Sequence, residues 1–161
     1  MTDTAQSNAQ DLIPLSVSRV VEDSNTDTRI IVLTRTDDAD TFTIWVGAPE
    51  GDSIRRALDA ATPPRPMSHD LVKSFGEHFG ITTKRVVLTD VKSSTYYATV
   101  FLENKGVERS IDARPSDAIA LALRAGCPIY ATQDVLNRRT AVHLDAWINK
   151  LDANNTETQQ A

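Results

Sequence analysis

Val107-Glu-Arg-Ser-Ile-Asp-Ala-Arg-Pro-Ser-Asp-Ala-Ile-Ala-Leu-Ala-Leu-Arg-Ala-Gly126 decides the fold class. Its first part, residues 107–111, reads as a strand entered through the turn Asn104-Lys-Gly, with Gly106 where a positive φ is needed. Its second part is the clearest helix of the chain. Pro115 occupies the first turn, Asp117 sits near the positive end of the helix dipole, Arg124 lies in the last turn, and Gly126 stands beyond the end. The segments just before it are strands too: Lys84-Arg-Val-Val-Leu-Thr-Asp90 and Tyr96-Tyr-Ala-Thr-Val-Phe-Leu102, with a hairpin turn at Lys92-Ser-Ser-Thr95.

Working outward toward the N-terminus, Leu15-Ser-Val-Ser-Arg-Val-Val21 alternates apolar with polar residues. Arg29-Ile-Ile-Val-Leu-Thr34 and Phe42-Thr-Ile-Trp-Val46 follow, and the three segments read as an antiparallel meander. From Glu50 the period becomes helical, with Ile54, Ala57, Leu58 and Ala61 on one stripe and Thr62-Pro63-Pro64-Arg65-Pro66 as the stop. A second helix is expected to take Ser68 as N-cap, place Leu71, Val72, Phe75 and Phe79 on one face, and end at Gly80. Toward the C-terminus, Pro128-Ile-Tyr-Ala131 reads as a short strand and residues 141–151 as a closing helix. Blocks of strands interrupted by helix pairs, without regular βαβ alternation, predict an α+β domain of mainly antiparallel strands with helices packed on the sheet. Residues 11–151 are the expected domain, between polar, disordered tails at 1–10 and 152–161.

At 161 residues and 40% hydrophobic the chain suits one domain with a real core. No stretch approaches the roughly 18 apolar residues of a membrane span, and no basic start leads into an apolar run, so neither insertion nor secretion is expected. The single cysteine, Cys127, reads as a small buried hydrophobe and is compatible with a cytoplasmic location. The formal charge of −5 argues against binding nucleic acid by bulk electrostatics. Much of the acid is local, however, in Glu22, Asp23, Asp27, Asp37, Asp38 and Asp40, which leaves the rest nearly balanced.

Three blocks in order, Ile44-Trp-Val-Gly-x-x-Glu50 running into Ile54, Pro63-Pro-Arg-Pro-Met-Ser-His-Asp-Leu71, and Ile111-Asp-Ala-Arg-Pro-Ser-Asp-Ala-Ile-Ala-Leu-Ala-Leu123, resemble the bifunctional nuclease domain family of bacteria and plants. Gly51 and Ser53 depart from the alanine-like helix formers expected at their positions, and the acidic loop at residues 37–40 is particular to this chain. The resemblance implies cleavage of both DNA and RNA with low sequence specificity.

Phosphodiester hydrolysis needs an activated water, a group that stabilises charge on the phosphoryl oxygens, and often a divalent metal held by carboxylates. Arg114-Pro-Ser-Asp117 offers a guanidinium, helix-start N–H groups, the Ser116 hydroxyl and a carboxylate within one turn, although Pro115 and Asp117 also suit plain helix initiation. Arg114 does not fit that plainer role, since a cation near a helix N-terminus is unfavourable. His69 could act as a general base and Asp70 as a metal ligand, or both could be solvated first-turn residues. Arg65 is placed to reach a phosphate, and Glu50, Asp70 and Asp117 are the expected ligands of a divalent cation, Mg or Mn. Asp90 and Asp112 are strand-end acids that could join them, His78 reads as helix surface, and Trp45, Tyr96 and Tyr97 could stack on bases or belong to core and rim.

Two functions follow from these residues. One is a metal-assisted nuclease acting on DNA and RNA, with His69, Asp70, Arg114 and Asp117 catalytic and Arg65, Arg114 and Ser116 binding substrate. The alternative is a non-enzymatic ligand-binding or oligomerising module in a bacterial stress or regulatory pathway. Either suits a homo-oligomer, a dimer most simply, because the many strands leave a sheet edge to be covered.

Overall fold

A computed structural model describes residues 12–139. Its elements in chain order are β1 (Leu12–Asp23), β2 (Thr28–Arg35), β3 (Thr41–Gly47), α1 (Ala48–Leu58), α2 (Ser68–His78), β4 (Ile81–Lys92), β5 (Thr95–Asn104), β6 (Val107–Ala113), α3 (Pro115–Ala125), β7 (Ile129–Thr132) and α4 (Gln133–Arg138). The strands form a seven-stranded sheet in the order β3-β2-β1-β7-β4-β5-β6. The alternating segments β1, β2 and β3 pair as the expected antiparallel meander, and β4, β5 and β6 make a second one. β7 joins the two, antiparallel to β1 and parallel to β4. This mostly antiparallel sheet with helices packed on it is the α+β fold predicted above.

Both hairpin turns of the second meander carry two successive positive-φ residues, Ser93 (48°) with Ser94 (64°) and Lys105 (50°) with Gly106 (77°). That backbone matches the right-handed twist of the strands it joins. The Asn104 side chain is used elsewhere, donating to the carbonyls of Phe79 and Gly80 at the end of α2.

The core gathers Ile31, Leu33, Phe42, Ile44, Val86, Leu88 and Val100 from the strands with Ile54 of α1 and Ala118, Ile119, Ala120 and Ala122 of α3. The alanines let α3 lie close to the strands, while Ile54 and Ile119 are fully buried, so truncating either to alanine is expected to cost about 2–5 kcal/mol. Phe42 of β3 stacks on Tyr96 of β5 with ring centroids 6.1 Å apart. Those strands are separated in the sheet by β2, β1, β7 and β4, so the sheet curls until its two flanks face each other. Gly51 has a steric reason: a Cβ there would lie 2.2 Å from Cβ of Arg29.

Several boundaries differ from the sequence reading. The N-cap of α2 is Met67, not Ser68, because Oδ2 of Asp70 reaches back to accept the Met67 N–H at 2.8 Å. α1 starts at Ala48 with Pro49 in its first turn, and stops at Leu58 rather than running to Ala61, where Ala60 takes a positive φ of 49°. The short α4 was not anticipated; six residues carry too little periodicity to read, though Thr132 caps it by accepting from the Val135 N–H. None of the residues of α2 is buried, so its apolar face points outward. The closing helix expected over residues 141–151 and the two tails lie outside the described residues. Among the described residues no helix is long and apolar enough to cross a membrane.

Candidate functional site

The first turns of α1, α2 and α3 converge, because α1 and α3 pack side by side on the sheet and α2 leans on α3. Arg114, the N-cap of α3, turns back along its own helix: Nε donates to Oδ2 of Asp117 at 2.8 Å and Nη2 to Oδ1 at 3.2 Å. Its Nη1 donates to Oε1 of Glu50 on α1 at 3.1 Å. Oδ1 of Asp117 also lies 2.9 Å from Nε2 of His69, whose Nδ1 is 2.8 Å from Oγ of Ser53 on α1.

Arg124, in the last turn of α3, closes the network from inside. Its side chain is only 8% exposed, with Nε donating to Oδ1 of Asp70 at 2.6 Å and Nη2 donating to Oγ of Ser53 at 3.1 Å and to the Ser53 carbonyl at 3.3 Å. Donor counting assigns the protons for a neutral imidazole. Since Ser53 Oγ accepts from Arg124, its own hydrogen goes to Nδ1 of His69, and Nε2–H donates to Asp117.

The electrostatics follow from these contacts. Partial burial pushes the Asp117 carboxyl up, but the hydrogen bonds from Arg114 and His69 outweigh it and leave the pKa below the ordinary carboxylate value. Asp70 is lowered chiefly by its bond from Arg124 and then by the Met67 N–H. Arg114 is raised, chiefly by Asp117. The cluster is thus built of ionised carboxylates held by guanidinium groups.

Beside it opens a cavity of about 800 Å³ between β3, the β4–β5 turn and the start of α3. Arg114 and Glu50 stand on its wall with Thr43, Trp45, Tyr96 and Ser116. His69, Asp70 and Asp117 do not line it.

The structure therefore brings together Glu50, His69, Asp70, Arg114 and Asp117 from the sequence candidates. Ser116 is adjacent but buried, lining the cavity rather than the carboxylate cluster. Arg65 is exposed in the proline-rich connection and makes no hydrogen bond or ion pair to a described residue. Asp90 lies elsewhere, held by Arg138 of α4 and by Lys92, and Asp112 is exposed on β6. His78 is exposed as expected, edge-on to Phe79. Burial raises the Cys127 thiol above its ordinary pKa, in keeping with a small hydrophobe. Tyr97 is exposed, and Tyr96 is partly buried against Phe42.

The expected metal site at Glu50, Asp70 and Asp117 is not assembled. Among the described residues no group of three or more His, Cys, Asp or Glu side chains is placed to hold an ion. The physical reason is that each carboxylate already faces a guanidinium, Arg114 for Glu50 and Asp117 and Arg124 for Asp70. Two members of the network, Ser53 and Arg124, were missed. Ser53 had a signal, as a hydroxyl where a helix former was expected; Arg124 was accounted for by the helix dipole alone.

Comparison with known proteins adds relatives. An uncharacterised protein of Mycobacterium tuberculosis is 37% identical over 93 residues, covering 58% of this chain and 55% of that one. Bifunctional nuclease 1 of Oryza sativa subsp. indica is 36% identical over 81 residues, 48% of this chain and 23% of that one, and the bifunctional nuclease of Oryza minuta matches equally. The chain thus spans about half the length of the mycobacterial relative and less than a quarter of the rice proteins. The profile of the bifunctional nuclease domain matches residues 31–145, which takes in most of the sheet and every helix of the network: the chain belongs to the bifunctional nuclease domain family.

Proposed function

We propose that this chain hydrolyses phosphodiester bonds of DNA and RNA, with Arg114 as the group that meets the phosphate. One observation carries the reading. Arg114 is clamped by Asp117 and Glu50, which take three of its five N–H donors, yet its side chain is 65% exposed and lines the cavity. A guanidinium so fixed stabilises charge on phosphoryl oxygens without reorganising during the reaction. Water adds to phosphorus, the bond from phosphorus to one sugar oxygen breaks, and that oxygen takes a proton. His69 serves as the base once a water replaces Ser53 at Nδ1, the ring nitrogen that carries the lone pair. The carboxylates present do not fit a shared ion shell, so a divalent Mg or Mn ion, if it takes part, is held mainly by the substrate's own phosphates.

The test is cleavage of single-stranded DNA and RNA by rigorously purified wild type and Arg114→Ala. Loss of one preorganised charge contact corresponds to about 3 kcal/mol, or roughly a hundredfold in rate. Equal rates for the two proteins would sink the assignment. A second reading, a non-catalytic ligand-binding module, is favoured by one observation: both ring nitrogens of His69 are occupied. It becomes the better one if neither protein cuts.

We also propose that the chain forms a homodimer through α2. Phe75 and Phe79 are 65% and 60% exposed, and Met67, Leu71 and Val72 extend the same apolar surface. With roughly 150–250 Å² for each fully covered aromatic ring, this face offers several hundred Å². Val107 and Ile111 of β6, an edge strand among the described residues, are exposed as well. Light scattering should give twice the chain mass for wild type and the single mass for Phe75→Asp. A concentration-independent monomer for wild type would overturn the proposal.

A further inference from the structure

Two polar side chains among the described residues are buried, Thr43 of β3 and Ser116 of α3, each 6% exposed. Both line the cavity beside Arg114, and neither hydroxyl makes a hydrogen bond to another described residue. These oxygens are not sealed in the interior: the buried side-chain polar atom left without a partner among the described residues is Nη1 of Arg139, and the two hydroxyls are open to the cavity. Thr43 also belongs to an edge strand. Among the described residues β3 pairs with β2 alone, and its residues from Thr43 to Gly47 line the cavity.

The rest of the wall is complementary in kind. Trp45 and Tyr96 give aromatic surface, Glu50 an acceptor for sugar hydroxyls, and Arg114 an exposed guanidinium. Oε2 of Glu50 lies 2.6 Å from the position a Cβ on Gly47 would take, so the glycine leaves room for that carboxylate. An 800 Å³ cavity is within the range of small-molecule sites and ample for a nucleotide.

We propose that this cavity is a nucleoside monophosphate site: the polar edge of the base meets Thr43 and Ser116, the sugar meets Glu50, and the phosphate meets Arg114. The inference rests on the nuclease reading for the identity of the anion, and it makes the substrate a chain with an unpaired nucleotide that can leave its stack and enter the cavity. A nucleotide in nucleic acid and a free nucleotide share this chemistry.

The experiment is calorimetric titration of the full chain with adenosine 5′-monophosphate, adenosine and inorganic phosphate. The monophosphate should bind at least tenfold more tightly than either part. Thr43→Val, which keeps the branched shape, and Ser116→Ala should each weaken it about tenfold with an unchanged melting temperature. Displacement of the bound nucleotide by a short single-stranded oligonucleotide places the site on the nucleic-acid path; failure to displace it assigns the site to a free nucleotide. No binding at millimolar ligand, or equal affinity in wild type and both variants, overturns the proposal. Binding is read independently of cleavage. A chain that binds but does not cut loses the nuclease reading and keeps the site, and one that cuts but does not bind loses the site alone.

Discussion

His69 and Asp117 meet at 2.9 Å through Nε2 and Oδ1, and this bond ties the first turn of α2 to the first turn of α3. The two residues stand 48 positions apart in sequence. Asp117 therefore serves two donors at once, accepting from the Arg114 guanidinium and from the His69 imidazole.

The pair should be measurable as a coupling. A hydrogen bond to a charged group contributes about 1.5–3 kcal/mol net. A double-mutant cycle of His69→Ala and Asp117→Ala, read by denaturant unfolding, should give a coupling above 1 kcal/mol. Additive single-mutant effects would show that the contact contributes nothing to stability.

Acid should destabilise the protein through the same network. Asp70 and Asp117 have folded-state pKa values below their ordinary ones, so their contribution to stability is complete above the ordinary carboxylate pKa, about 3.9. It is lost as pH falls through the lower folded-state values. Urea midpoints should be flat from pH 7 to about 5 and then drop. Asp70→Asn should reduce the drop while lowering stability at pH 7, because it leaves Arg124 nearly buried without its carboxylate. A wild-type midpoint that does not change down to pH 3 contradicts the arrangement.

Ionic strength separates a local phosphate clamp from a basic groove. The chain carries a net charge of −5, and Arg114 is the exposed guanidinium at the cavity, so the proposed mode of binding neutralises one or two phosphates. The slope of log affinity for single-stranded DNA against log salt should lie at about −1, given a factor of ~0.7 for each phosphate. A slope steeper than about −4 would place the binding surface elsewhere.

Divalent ions give a further check. A ligand that binds the folded state at a hundred times its Kd stabilises by about 2.7 kcal/mol, several degrees in melting temperature for a domain of this size. With the carboxylates engaged by Arg114 and Arg124, millimolar Mg or Mn should leave the melting temperature of the free protein unchanged. A shift of several degrees would reveal a preformed ion shell that the described side chains do not contain.

Much of this fold was legible because periodicity reports directly on burial. The alternation in Leu15-Ser-Val-Ser-Arg marked β1, and the dense apolar stripe with Pro115 and Gly126 at its ends marked α3. The placement of β7 was not legible, since which strand a four-residue segment joins depends on contacts distant in sequence. The outward face of α2 was misleading for a related reason: an amphipathic stripe says that a face seeks cover, not whether the same chain supplies it. At the site, residue types at helix starts identified Arg114, His69 and Asp117, but not that guanidinium groups would occupy the carboxylates. That is set by the packing of α1 against α3, where Ser53 and Arg124 meet.

The seam made by β7 has a kinetic meaning. Glu50 and Ser53 arrive with the first meander, whereas His69, Asp70, Arg114, Asp117 and Arg124 arrive with the second, and Leu12 finds Thr132 only when nearly the whole described chain has been made. Contacts so far apart in sequence form slowly, after the local hairpins. The constellation around Arg114 is held by α1, α2 and α3, whose packing on one another bridges the two meanders on the same side of the seam. The pairing of Leu12 with Thr132 thus joins the two ends of the described chain across a single four-residue strand.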